Sequence, residues 1–217
     1  MLVLYGGYML WFRNLSWFAI DDVTIAGATT NESAIRAAVE RAAGDMTTLH
    51  IKDGELRDAV ARFPTVASVG ASTSFPHTLH VTVTERLPVG FIKSGLTRTA
   101  VSADGYLLLG ATFDPKSLPR IDGAAGHGVR LDEDAAAQAA ILGATPGPLR
   151  DRVTASSWDE QHGGGVVQLD NGPEVRFGDG SGARDKWTAA VAVLSGPERG
   201  SPSYLDVSVP ERPVAGG

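Results

Sequence analysis

Cysteine is absent from all 217 residues, so disulfides and thiolate metal sites are excluded. No run of Lys or Arg stands out. With 19 basic against 25 acidic side chains the net charge is −6 and the pI about 5.3, so the electrostatic footprint of a nucleic-acid-binding surface is missing. The five histidines (His50, His77, His80, His127 and His162) form no H-x-x-x-H or H-x-H pair, the spacings that bring two imidazoles to one metal. His77 and His80 read as solvated positions at a turn and strand start. Gly178-Asp179-Gly180-Ser181-Gly182 lacks the Gly-Lys-Ser/Thr ending of a phosphate loop, and the Gly that a nucleophile elbow places two before its Ser. It reads as a loop capping the next helix. Asp132, Glu133 and Asp134 fall at a helix start, where carboxylates meet the macrodipole and the orphan N–H groups. No polar constellation for an enzyme emerges.

A long apolar run is also missing. Met1–Phe12 (MLVLYGGYMLWF) is uncharged and ends at Arg13, but a spanning helix needs about 20 such residues. No basic segment precedes it and no small-x-small site follows it, which argues against a signal peptide. Trp11, Phe12, Trp17 and Phe18 cluster at its end like an interfacial belt. The expectation is the outer part of a transmembrane helix (1–12) that begins upstream of Met1, then a juxtamembrane linker (13–17).

What is present is a regular alternation of elements. Leu79, Val81 and Val83 alternate with His80, Thr82 and Thr84 between Pro76 and Pro88, the period of a half-buried strand. Pro64 ends a helical pattern before the strand around Val66–Val69, and Phe18–Gly27 reads as an earlier strand. Between them, Ile35, Ala38, Val39 and Ala42 stripe a helix over Glu32–Ala43, capped by Asn31 or Ser33 and stopped by Gly44. Leu56, Ala59, Val60 and Phe63 stripe a second over Asp53–Arg62. The order is β-α-α-β-β over about seventy residues, enough for one small domain. Beyond Pro88, strands are expected at Val89–Ile92, Thr99–Ala103, Tyr106–Gly110, Val153–Trp158, Gly165–Leu169, Glu174–Phe177 and Tyr204–Val209, with hairpin turns at Asp104-Gly105 and Asn171-Gly172. Helices are expected at Asp132–Leu142 and at Ala183–Leu194, the latter with Trp187, Ala190, Val191 and Leu194 on one face. The fold class is α+β.

These residues resemble a known family. The β-α-α-β-β order is similar to a POTRA domain, and the wording resembles the extracytoplasmic part of the FtsQ/DivIB division proteins. Ile20-Asp21-Asp22-Val23-Thr24-Ile25-Ala26-Gly27 matches "V-x-x-V-x-I-x-G". Pro64–Val69 matches "P-x-V-A-S-V", and Phe75–Val89 matches "W/F-P-x-T-L-x-V-x-V-x-E-R-x-P-V". Val101–Leu108, Leu118–Gly123, "V-R-F-G" with Lys186, and "D-V-S-V-P" (Asp206–Pro210) continue the match in order. The Arg that often precedes the aromatic-Pro pair is missing from Ala71–Ser74.

The resemblance implies a POTRA domain over 18–87, an FtsQ-type β domain over 88–210 and a tail over 211–217. It implies a single-pass bacterial plasma-membrane protein at the division septum. Its role would be a non-enzymatic scaffold that binds FtsB/DivIC-like and FtsL-like proteins outside the membrane and helps to control septal wall synthesis, without cofactor, metal, nucleic acid or small-molecule substrate. The alternative is a POTRA-bearing component of a translocation machine, which would need many more membrane strands. The family's partner adds a strand beside the last strand, matched here by Tyr204–Val209. Alternation then puts Leu205, Val207 and Val209 inward, and Tyr204, Asp206 and Ser208 outward, on an open edge. Lys186 is expected free to meet an acidic partner, and Trp187 in the core. Glu85 and Arg86 face opposite sides of their strand; Glu85 or Arg86 is expected to tie the sheet end to the next domain through side-chain hydrogen bonds to backbone, with a partner contact as the alternative.

Overall fold

A computed structural model of the chain describes residues 19–196 and 202–217. The expected membrane segment, the linker and Phe18 lie outside them. No helix among the described residues is long and apolar enough to cross a membrane. The chain divides into two compact units between Arg86 and Leu87.

The first unit has the order β1 (Asp22–Ala26), α1 (Glu32–Ala43), α2 (Asp53–Val60), β2 (Val66–Ser74) and β3 (Thr78–Glu85). In its sheet β3 is central, parallel to β1 and antiparallel to β2. The alternating positions Leu79, Val81 and Val83 are buried with Ile35 and Val39 of α1, Leu56 and Val60 of α2, and Met46. The "I-x-G" glycine has a steric reason. Gly27 takes φ +87°, and a side chain there would collide with the Val83 carbonyl oxygen. Asn31 precedes α1 with φ 58° and no side-chain cap; its carbonyl, not its amide, accepts Ala34 and Ile35 N–H, both at 3.0 Å. The Phe75–Pro76 peptide at the β2–β3 turn is cis.

Glu85 and Arg86 hold this unit together. The Glu85 carboxylate accepts Thr29 N–H (2.8 Å), Thr30 N–H (2.7 Å) and the Thr29 hydroxyl (2.5 Å), which fixes the β1–α1 loop. Arg86 donates to the Pro64 carbonyl at 3.0 Å and to that of Val66. Together they tie the end of β3 to the loop and strand beside it.

The second unit is one eight-stranded sheet: β4 (Pro88–Ser94), β5 (Thr97–Ser102), β6 (Arg120–Ile121), β7 (Val153–Asp159), β8 (Gly164–Leu169), β9 (Glu174–Gly178), β10 (Tyr204–Asp206) and β11 (Val214–Gly216). Their spatial order is β11-β10-β9-β8-β7-β6-β4-β5. Pro88 is the first residue of β4, a place where its missing N–H is tolerated. The expected strand Tyr106–Gly110 makes only isolated bridges, Tyr106 with Arg130 and Leu107 with Val101. Its first residues run along the outside of β5, with Leu108 N–H donating to Ala100 at 2.8 Å and Ser102 N–H to Tyr106 at 3.0 Å. Helix α3 (Glu133–Gly143) starts at Asp132, whose side chain accepts Ala135 N–H. After a short helix α4 (Gly147–Arg150) come β7 to β9 and then α5 (Ala183–Leu194). Trp187 of α5 is fully buried. Its ring lies 4.7 Å from that of Phe177, and its indole N–H donates to the Ile141 carbonyl at 2.8 Å.

Candidate functional site

The residues expected to receive a partner converge on one end of the large sheet, but not as an open strand. Tyr204–Asp206 pairs on both sides: parallel with Glu174–Arg176 of β9 and antiparallel with Val214–Gly216 of β11. The expected edge strand is thus interior, and the residues expected to be a tail form the edge. The strand is also shorter than the alternation implied. Asp206 Oδ1 accepts the Ser208 N–H (2.9 Å) and hydroxyl (2.7 Å), turning the chain out of the sheet. Leu205 and Val207 are buried as expected, whereas Val209, expected inward, is 49% exposed because it lies beyond that turn. Ser208 N–H is consequently no edge donor.

Two registers of side chains cross this end. On the core face Val167, Val175, Leu205 and Ala215 stand opposite one another across β8 to β11. On the other face Gln168 donates to Glu174 (3.1 Å) and Arg176 Nε to Glu174 (2.8 Å). The Arg176 guanidinium stacks 4.3 Å over the Tyr204 ring. That ring covers Gly216, where an added Cβ would meet the Tyr204 hydroxyl at 2.7 Å. Val214 is 55% exposed on the outermost strand.

Lys186 does not join this surface. It is 4% exposed, and its ammonium donates to the Asp179 carboxylate (2.7 Å) and carbonyl (3.0 Å). The hydrogen bond from Lys186, then that from the Ser181 hydroxyl, holds the Asp179 carboxyl below its ordinary pKa. Among the described residues no group of three or more His, Cys, Asp or Glu could hold a metal ion.

Sequence reasoning missed Val214–Gly216. The available signal was Pro213 followed by a short apolar pair, bracketed with Pro210 around a turn.

Known proteins resemble the first unit and the chain as a whole. The family model "POTRA domain, FtsQ-type" matches residues 18–86. The whole chain is similar to proteins called Cell division protein FtsQ. That of Streptomyces venezuelae is 29% identical over 230 residues, covering 100% of this chain and 81% of the relative. Those of Streptomyces collinus and Streptomyces coelicolor are 27% identical over 233 and 236 residues, each covering 100% of this chain and 85% of the relative.

Proposed function

Because the chain belongs to the FtsQ family of cell division proteins, we propose that it is a non-enzymatic, membrane-anchored scaffold of the division machinery. Both folded units lie outside the plasma membrane at the septum. They bind FtsB/DivIC-like and FtsL-like proteins and through them help to control septal wall synthesis. The FtsQ-type character of the POTRA match favours division over protein translocation.

The observation that supports the binding site best is the state of the two sheet edges. The outer side of β5 is occupied at Ala100–Ser102 by residues 106–108, whereas β11 is last in its sheet with Val214 exposed. A partner strand laid along β11 gains main-chain hydrogen bonds from the edge and side-chain selectivity from Val214, Tyr204 and Arg176. The site residues are thus revised: Tyr204 flanks it, Leu205 and Val207 support it from the core, Asp206 and Ser208 shape its turn, and Lys186 is left out. Replacing Val214 with Asp puts a charge on the edge without disturbing the core. Capture of the purified FtsB/DivIC-like protein is expected to weaken about tenfold, with the melting temperature retained. Unchanged affinity in a folded variant would show that the partner docks elsewhere.

A further inference from the structure

In the first unit, two large apolar side chains among the described residues remain exposed: Leu49 at 46% and Phe75 at 70%. Every other Leu, Ile, Met and Val of its core is buried or partly buried. Both lie at the same end. Phe75 is in the β2–β3 turn and Leu49 in the loop before α2. Thr48 ties loop to turn, its hydroxyl donating to the Pro76 carbonyl (2.9 Å) while its own carbonyl accepts the Thr73 hydroxyl (3.1 Å).

The chain itself arrives at that end. Ala19 bridges to Thr47, its carbonyl lies 3.1 Å from His77 Nδ1, and Asp21 N–H donates to the His77 carbonyl at 3.0 Å. The uncharged apolar run ends at Phe12, leaving residues 13–18 before Ala19. Six residues reach at most about 20 Å when fully extended, and the polar interfacial layer of a bilayer is itself about 5–8 Å deep on each side. The turn is therefore tethered within reach of the layer that the apolar run enters.

We propose that the Phe75-Pro76-His77 turn and Leu49 form a membrane-contact site that rests in the interfacial layer of the bilayer and seats the first unit on it. This rests on the membrane-anchored reading above. An aromatic and an aliphatic side chain this exposed gain further burial at such a depth. The polar side chains beside them, the Asp21 carboxylate and the His77 ring, lie 3.6 Å apart and face each other, so the contact is apolar and does not require anionic lipid.

The absence of cysteine permits a direct test. The full chain, with its apolar span completed upstream of Met1 and carrying Ser74→Cys labelled with an environment-sensitive fluorophore, is reconstituted into phosphatidylcholine vesicles with headgroup nitroxide lipid as quencher. Ser33→Cys, on α1, is the reference. Quenching at position 74 is expected to exceed that at position 33 by about threefold, a difference set by the shallow depth of the interfacial layer. It should persist at high salt and fall to the reference level in Leu49→Ser/Phe75→Ser. Since the comparison of 74 with 33 uses otherwise unaltered side chains, a poorly folded double variant leaves it decisive. Vesicle flotation of the chain with equal quenching at both positions overturns the proposal alone. A blue shift at position 74 without nitroxide quenching does the same, assigning the patch to a protein neighbour. A chain that does not float with vesicles overturns the anchored reading and this proposal with it.

Discussion

Glu85 secures the start of α1 from 55 or more residues away in sequence, through three donors on Thr29 and Thr30. Partial burial pushes its carboxyl pKa up, and the Thr29 hydroxyl with the N–H groups of Thr30 and Thr29 pulls it down further, leaving it below the ordinary value. A carboxylate with a depressed pKa contributes stability above its unfolded value, 4.5, and loses it as pH falls through the folded one. Glu85→Gln is expected to cost about 1 kcal/mol at neutral pH, at the lower end for a charged hydrogen-bonding group because solvent shares it. The gap between variant and parent in denaturant melts should close as pH drops below that value; a gap constant with pH would refute the clamp. Lys186 and Asp179 give an asymmetric pair, because the ammonium is buried and the carboxylate is 73% exposed. Lys186→Met leaves only a solvated carboxylate and should be close to neutral. Asp179→Ala leaves the buried ammonium only the backbone carbonyl as acceptor and should cost about 2 kcal/mol more. Equal melting temperatures for the two variants would contradict this.

At the scale of elements, the placement of β10 between β9 and β11 predicts a hydrogen-exchange pattern. The amides of Leu205 and Val207, the latter bonded to Arg176 at 2.9 Å, should exchange far more slowly than those of the edge strand β11. Comparable fast exchange at both strands would restore Tyr204–Asp206 to the edge. The elements legible in the sequence were those long enough to show a period. Leu79, Val81 and Val83 mark β3 because one face is buried over eight residues, and α5 was placed at Ala183–Leu194 by its own stripe. Three residues at Val214–Gly216 contain no period, and Pro213 before them reads as an ending. The misreading of Tyr204 and its neighbours follows from that: a strand is an edge only if nothing pairs later. Lys186 deceived differently. It lies three after Ala183 and four before Ala190, within the buried stripe, and its charge is met by Asp179 across the helix start, a contact set by tertiary packing.

The whole molecule consists of two units with separate hydrophobic cores, one around Leu79, Val81 and Leu56 and one around Trp187, Phe177 and Ile141. Limited proteolysis should open the exposed stretch 122–128 and the turn at Glu160–His162 first, since exposed tips are easily unfolded locally. Early cutting inside Leu79–Val83 would contradict the first core. The central position of β3 also carries a consequence for a chain made from one end to the other. β1 and β2 do not pair; each finds its strand neighbour only in β3, and Asp22 pairs with Thr78, 56 residues later (78 − 22). At about 5–20 residues per second of synthesis, the first strand waits roughly 3–10 s for its partner. During that interval two strands and two helices exist without a sheet. A ribosome stalled short of Thr78 holds a chain whose apolar residues have nowhere to go, and chaperones or proteases would meet the first unit as an all-or-none client.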